Sequence, residues 1–200
     1  MRDSYDLSAG IFSADDCRRC DNNTPVDFTQ VLNFNDFIAL YFSADWCGPC
    51  HQFTPSLSVF YKNLLPNEPS GLEVVFVSLD RNKAAFDRYA QTMPWLAADY
   101  NNATLRDQLQ EEIELAGIPT VTIVRTCDWK VVSSNARADV MSFKSKPAEL
   151  LKKWRAQAEI KGADDDAVAA GDAAGDAIGD AAGNDAVGDA ATSSNGAKVV

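Results

Sequence analysis

From Phe37 to Phe42 the chain is continuously apolar, with no charged residue to mark a solvent face. A run of this kind, closing at Ser43, predicts a strand buried on both sides. The period then changes. Phe53, Leu57, Phe60 and Leu64 recur at helical spacing up to Pro66, with Pro49 suited to the first turn and Pro55 inside the pattern, where a kink is expected. Leu72 to Leu79 is a second β-rich run, entered through the turn Asn67-Glu68-Pro69-Ser70-Gly71 and expected to lie parallel to the first. A helix over Lys83 to Thr92 follows, then Met93-Pro94-Trp95-Leu96, then a helical stretch around Leu105 to Glu112. Val121 to Val124 predicts a third buried strand, and Lys130 to Ser133 its antiparallel return through the turn near Cys127-Asp128-Trp129. Pro147 opens a last helix, with Leu150, Leu151, Trp154 and Ala158 on its inner face. The order predicts an α/β fold, a mixed central sheet with helices on both faces.

The ends of the chain have a different composition. Residues 1–24 are polar and irregular and predict a flexible N-terminal arm, followed by a short edge strand at Val26-Asp27-Phe28. Beyond 162 a Gly-Asp-Ala-Ala repeat begins, too rich in glycine for a stable helix and too poor in apolar area for a core. The expected organisation is therefore an arm over 1–24, one folded domain over 25–161, and a disordered acidic tail over 162–200. The net charge of −11 is shared between tail and domain, and no basic patch interrupts it. That excludes a surface tracking nucleic-acid phosphates. No run is long enough to span a bilayer, and Met1 to Asp6 lacks the apolar segment of a secretory signal behind it. A reducing, cytoplasmic compartment and a monomer are the corresponding expectations, with the cysteines mostly as thiols at rest.

The chemistry concentrates at Trp46-Cys47-Gly48-Pro49-Cys50, where the first buried strand gives way to the helix. Two cysteines at this spacing are able to close and reopen a small disulfide ring. Cys47, at the helix start, faces unpaired backbone N–H groups and the positive end of the helix dipole, which favour thiolate over thiol. Attacking thiols of such sites titrate near ~7, against roughly 8.5 for a free cysteine. Cys47 is the expected nucleophile and Cys50, one turn in, the resolving thiol. Gly48 permits close backbone approach and Pro49 stiffens the turn. Half of a zinc site is the competing reading, and its only candidate second pair is Cys17 and Cys20 in the arm.

The segment Tyr41-Phe42-Ser43-Ala44-Asp45-Trp46-Cys47-Gly48-Pro49-Cys50-His51-Gln52-Phe53-Thr54-Pro55 resembles the active-site region of tryparedoxins, the thioredoxin relatives that pass electrons from trypanothione to peroxidases, and of their nucleoredoxin cousins. Val74-Val75-Phe76-Val77-Ser78, Met93-Pro94-Trp95-Leu96-Ala97 and Gly117-Ile118-Pro119-Thr120 fall in the same order, so the resemblance covers about residues 26 to 155. It implies the thioredoxin fold, a cis bond at Ile118-Pro119 facing the dithiol, and a substrate surface made by Trp46, Gly48, Pro49, Ile118 and Pro119. It also implies reduction of protein disulfides such as those of peroxiredoxin-type peroxidases, a trypanothione-like low-mass dithiol as donor, and no metal or organic cofactor.

Several positions depart from, or add to, that pattern. Gly48 stands where the family usually has a second proline. Tyr41 takes the place where thioredoxins bury an acid, as it does in tryparedoxins, and is a candidate tuning residue. Leu79 and Arg81 replace a tryptophan and an acid, and Asp139 follows Arg137 where a second arginine is usual. Trypanothione is cationic, so Arg81 disfavours it. His51, the only histidine, is either a positive charge tuning the thiolate or a solvated surface residue. Pro94 and Trp95 either floor the substrate groove or pack in a loop. Cys127 is read as incidental. Cys17-Arg18-Arg19-Cys20 is either a second, guanidinium-activated dithiol or two unrelated cysteines in a flexible arm. A redox-sensitive binding module with little turnover is the alternative to an enzyme.

Overall fold

The computed structural model describes residues 7, 10–64 and 71–172. The chain divides into a unit over Met1–Gly162 and a second over Ala163–Val200. The first is built on β1 (Cys17–Arg19), β2 (Pro25–Val26), β3 (Asn35–Ser43), β4 (Gly71–Ser78), β5 (Leu96–Ala98), β6 (Thr120–Arg125) and β7 (Val131–Ser133). These form one sheet in the order β2-β1-β5-β4-β3-β6-β7. The β3–β4 and β4–β5 pairs are parallel, and the other pairs antiparallel. Central β3 places Tyr41 between Phe76 of β4 and Val121 of β6.

Burial on both faces explains the unbroken apolar run. Phe37, Ala39 and Tyr41 of β3 point into one core with Leu72, Val74 and Phe76, whereas Ile38, Leu40 and Phe42 point into a second with Val75 and Val77. Helices α2 (Gly48–Leu64) and α3 (Lys83–Ala90) and the part of α6 (Pro147–Asp172) up to Ala158 cover the first face, contributing Phe60, Tyr89 and Trp154 among others. Helices α1 (Phe28–Phe34) and α4 (Ala103–Glu112) cover the second. Short polar caps start three of the helices: the side chains of Asp27, Asn82 and Asn102 accept backbone N–H groups of Thr29, Ala85 and Leu105. Helix α2 runs without a break through Pro55, which has no N–H to offer the His51 carbonyl. Among the described residues no helix is long and apolar enough to cross a membrane.

Several expectations need correction. The arm is not loose over residues 10–24: β1 pairs with β5, Cys20 N–H donates to the Trp95 carbonyl at 3.0 Å, and Cys17 and Cys20 are buried. Backbone pairing to the edge of β5, together with burial of Phe12 against Phe28 and Trp129, holds this polar segment. Residues 1–6, 8 and 9 lie outside the described residues. Helix α1 occupies the stretch expected to hold an edge strand and a short connection, leaving only Pro25–Val26 as β2. Strand β5 and helix α5 (Arg137–Phe143) were not foreseen. The first unit ends at Gly162, one residue beyond the expected boundary, and helix α6 runs on to Asp172. The remainder of the expected tail, 173–200, and most of the turn expected before Gly71 lie outside the described residues.

Candidate dithiol site

The C-terminal end of β3 delivers Ala44, Asp45 and Trp46 to the sheet edge, and α2 begins two residues later. Cys47 occupies the position just before the first helical residue. Its sulfur accepts the Cys50 N–H at 3.2 Å, and its carbonyl accepts the N–H groups of Cys50 and His51 at 3.1 and 3.2 Å. Cys47 thus caps its own helix through sulfur, which is the placement that stabilises a thiolate. Cys47 and Cys50 are joined by a disulfide with Cα atoms 5.2 Å apart, so the sulfur at this cap stands where the reduced thiolate would sit. Cys50 is fully buried and Cys47 5% exposed, beneath Ala44, Leu79 and Ile118. The asymmetry is functional in kind: one sulfur borders solvent and the other lies behind it.

Opposite the sulfurs runs the chain from Gly117 to Thr120. Ile118-Pro119 is cis, and the Ile118 carbonyl oxygen is 3.9 Å from Cys47 Sγ. Between this segment and the motif lies a groove of about 560 Å³, lined by Trp46, Cys47, Gly48, Pro49, Leu79 and Ile118 among others. Trp46 is exposed, its indole fixed by an Nε1 bond to the Leu79 carbonyl at 3.1 Å and overlain by the Arg81 guanidinium at 5.8 Å. Nothing stands within 4 Å of a Cβ built on Gly48, so that position is open to an approaching backbone. On the other side of Pro49 a second groove of about 480 Å³ is lined by Gln52, Phe53, Asn135, Arg137 and Met141.

Under the first turn of α2 the interior is made of hydroxyls. Thr54 Oγ1 donates to the Cys50 carbonyl at 2.9 Å and lies 2.8 Å from Tyr41 Oη and 2.7 Å from Tyr89 Oη. Ser43 Oγ closes the ring, donating to Tyr41 Oη at 3.0 Å and lying 3.1 Å from Tyr89 Oη. Burial, reinforced by Tyr89, pushes the Tyr41 phenol far above its ordinary range, so it is a neutral donor. The strand-to-helix turn is pinned from the side by Asp45 and Asp80. Asp45 N–H donates to Asp80 Oδ1 at 2.7 Å, Ser78 Oγ donates to Asp80 Oδ2 at 2.8 Å, and Arg88 donates to Asp45 Oδ2 at 2.8 Å. Burial raises the Asp80 carboxyl above the usual range, although the Ser78 and Asp45 bonds pull the other way.

The residues read from sequence are mostly brought together. Trp46, Gly48, Pro49 and Ile118 line the groove with Cys47, Pro119 follows on the cis bond, and Tyr41 lies beneath. His51 is turned to the loop: Nε2 donates to the Asp45 carbonyl at 2.6 Å and the ring lies 4.8 Å from that of Tyr89. Trp95 does not floor the groove; it is buried against Tyr41 and Tyr61. Asp139 pairs with Lys153 at 2.9 Å, and Cys127 is an exposed free thiol in the β6–β7 turn. The idea of an activated Cys17–Cys20 dithiol is overturned. The two thiols pack into cores on opposite faces of the sheet, and burial pushes both well above the usual range, the Arg19 charge being a lesser influence on Cys20. Ser43, Thr54, Tyr89 and Asp80 were missed as site residues, since their convergence depends on pairing β3 and β4 beside α3. Among the described residues no cluster of His, Cys, Asp or Glu is arranged to hold a metal ion.

A thioredoxin-like family model matches residues 35–129, in keeping with a thiol oxidoreductase built on a redox-active cysteine pair. Tryparedoxin from Trypanosoma brucei brucei is 34% identical over 104 residues, covering 52% of this chain and 71% of that protein. Native tryparedoxin I from Crithidia fasciculata superposes with a TM-score of 0.60 at 31% identity, over 69% of this chain and 90% of that one. The chain belongs to the tryparedoxin-like branch of the thioredoxin superfamily. Probable nucleoredoxin 1 from Arabidopsis thaliana is 41% identical over 106 residues, but that match spans 53% of this chain and only 18% of the relative's length.

Proposed function

We propose that this chain is a protein-disulfide reductase of the tryparedoxin type. The observation that supports it most directly is the placement of Cys47: a sulfur at a helix start, holding the Cys50 N–H, bordering a groove whose opposite wall is the Ile118 carbonyl. In the reduced protein the Cys47 thiolate attacks one sulfur of a substrate disulfide. The substrate S–S bond breaks, a mixed disulfide forms, and the leaving thiolate takes a proton. Cys50, as thiolate after losing its proton, attacks Cys47 Sγ and releases the second substrate thiol. The product is the Cys47–Cys50 disulfide, and two electrons have passed to the substrate. A low-mass dithiol restores the pair by the reverse chemistry, so the cysteines themselves carry the electrons and no cofactor enters. Trp46, Gly48, Pro49 and Pro119 shape the groove, and the Ile118 backbone is the element an extended substrate pairs with.

Peroxiredoxin-type peroxidases are the proposed substrates, and trypanothione or another low-molecular-weight thiol the proposed donor. Insulin-disulfide reduction tests the reading. Cys47→Ser abolishes turnover, whereas Cys50→Ser accumulates mixed disulfides with substrate, detectable by mass spectrometry. Full activity in Cys47→Ser refutes the mechanism. Negligible turnover with trypanothione, glutathione and a thioredoxin reductase alike, alongside a stable partner complex, would instead identify a redox-sensitive binding module.

A further inference from the structure

Among the described residues most guanidinium groups are engaged. Arg18, Arg19, Arg88, Arg125 and Arg155 each pair with an aspartate, and Arg106 donates to the Tyr100 carbonyl. Among the described residues Arg81 and Arg137 are the two arginines whose guanidinium groups take neither an ion pair nor a hydrogen bond, and both stand beside the dithiol. Arg81 lies over the Trp46 ring at 5.8 Å, and Arg137 over the Phe53 ring at 5.7 Å. Arg137 Nε is buried and has no hydrogen-bond partner, and its side chain lines the groove that shares Pro49 with the groove holding Cys47. In a chain of net charge −11, where carboxylates are plentiful, two unpaired cations flanking one reactive sulfur are a selective arrangement. Of the acids nearest the motif, Asp45 pairs with Arg88, and Asp80 takes its hydrogen bonds from Ser78 and the Asp45 N–H rather than from Arg81.

Each guanidinium lies over an aromatic ring, and no acid among the described residues takes up its N–H donors. That geometry suits a carboxylate, which accepts two parallel N–H bonds from one guanidinium. We propose that Arg81 and Arg137 select disulfides carrying carboxylates on either side of the reacting sulfur, so that the preferred substrate of this site is anionic. The inference rests on the disulfide-reductase reading and specifies its substrate class. Glutathione disulfide and a protein disulfide flanked by Asp or Glu share the required chemistry, whereas a cationic polyamine conjugate opposes it.

The test uses the full chain, reduced beforehand and freed of reductant, so that no donor is needed. Second-order rate constants are measured with glutathione disulfide, neutral hydroxyethyl disulfide and cationic cystamine, and with disulfide-linked peptides flanked by Asp or by Lys. At low ionic strength glutathione disulfide is expected to react faster than cystamine relative to the neutral compound. The preference should collapse near ~1 M salt, where the Debye length falls to about 3 Å. Arg81→Glu reverses one charge and acts oppositely on the two charged substrates, so the glutathione-to-cystamine ratio should fall at least about tenfold. Arg81→Gln and Arg137→Gln should each lower it less, and thermal melts check that every variant is folded. A ratio that moves only for the small disulfides assigns the frame to low-mass thiols, and one that moves only for the peptides assigns it to acidic protein segments. Ratios unmoved by Arg81→Glu, by Arg81→Glu with Arg137→Gln, and by salt overturn the proposal. Failure of the wild type to react with any disulfide, the neutral one included, defeats the reductase reading instead.

Discussion

Thr54→Val should destabilise this protein more than removal of any other hydroxyl in the cluster beneath Cys50, and the reason is a count of hydrogens. The cluster holds five short contacts: Thr54 to the Cys50 carbonyl, Tyr41 to Thr54, Ser43 to Tyr41, and Tyr89 to both Thr54 and Ser43. Each hydroxyl donates one hydrogen, so only four contacts are filled at once, and Tyr89 divides its hydrogen between two acceptors. Deleting the hydroxyl of Tyr41, Ser43 or Tyr89 leaves three hydrogens and three contacts, all of which can be filled. One net hydrogen bond is lost, at about 1 kcal/mol. Deleting the Thr54 hydroxyl leaves three hydrogens for the two contacts around Ser43, so two bonds vanish and a buried donor is stranded. The cost is then about 2 kcal/mol for the bonds plus about 1–3 kcal/mol for the orphan. Valine matches threonine in shape, so no cavity contributes. Urea unfolding of Tyr41→Phe, Ser43→Ala, Tyr89→Phe and Thr54→Val should place the first three within about 0.5–1.5 kcal/mol of wild type and Thr54→Val at about 3 kcal/mol or more. A Thr54→Val loss no larger than that of Tyr89→Phe would refute the count.

Other consequences are open to simpler measurements. Burial raises the Asp80 carboxyl, so the folded state binds its proton more tightly than the unfolded state does. The stability this contributes is full below the ordinary aspartate range near ~3.9 and is lost as pH rises through the elevated value; Asp80→Asn should therefore gain on wild type between acid and neutral pH, and a gap that is flat with pH would count against it. In the folded, oxidised protein a bulky thiol reagent should modify exposed Cys127 quickly and buried Cys17 and Cys20 only on unfolding, read by peptide mass spectrometry. Gly71 has φ +70, and a Cβ there would stand 2.6 Å from Arg155 Nη2 and 3.0 Å from Asp36 Oδ2, so Gly71→Ala should cost at least about 1–2 kcal/mol in denaturant unfolding, from the backbone and from disturbing that ion pair.

What was legible in the sequence followed from strong local signals. The two-sided run of β3, the helical spacing of α2 and the motif between them placed Cys47 and Cys50 at a strand-to-helix junction, where the structure has them. What escaped had weak or distant signals. Strand β1 is charged at Arg18 and Arg19 and is a strand through its pairing with β5 and β2. Helix α5 has no side-chain cap and one buried residue, Val140. The hydroxyl cluster joins Ser43 to Tyr89 across 46 positions. Each of those residues is unremarkable alone, and pairing information that fixes their convergence is not local.

The cluster also says how the two sulfurs are kept chemically unequal. The groups gathered under the Cys50 carbonyl are neutral hydroxyls, and Tyr41, the residue standing where related folds bury an acid, is held un-ionised by burial. The buried carboxyl of the junction, Asp80, is directed to the Asp45 N–H and so braces the turn that carries Trp46 and Cys47. A buried, uncharged floor gives a Cys50 thiolate no stabilising charge, because desolvation favours the neutral thiol. Cys47 has the opposite surroundings: the helix start, the Cys50 N–H and a margin of solvent. The reduced pair should therefore carry its single negative charge on Cys47, with the proton on Cys50. That division makes the outer sulfur the attacking one and delays the inner sulfur until a mixed disulfide has removed the charge from Cys47.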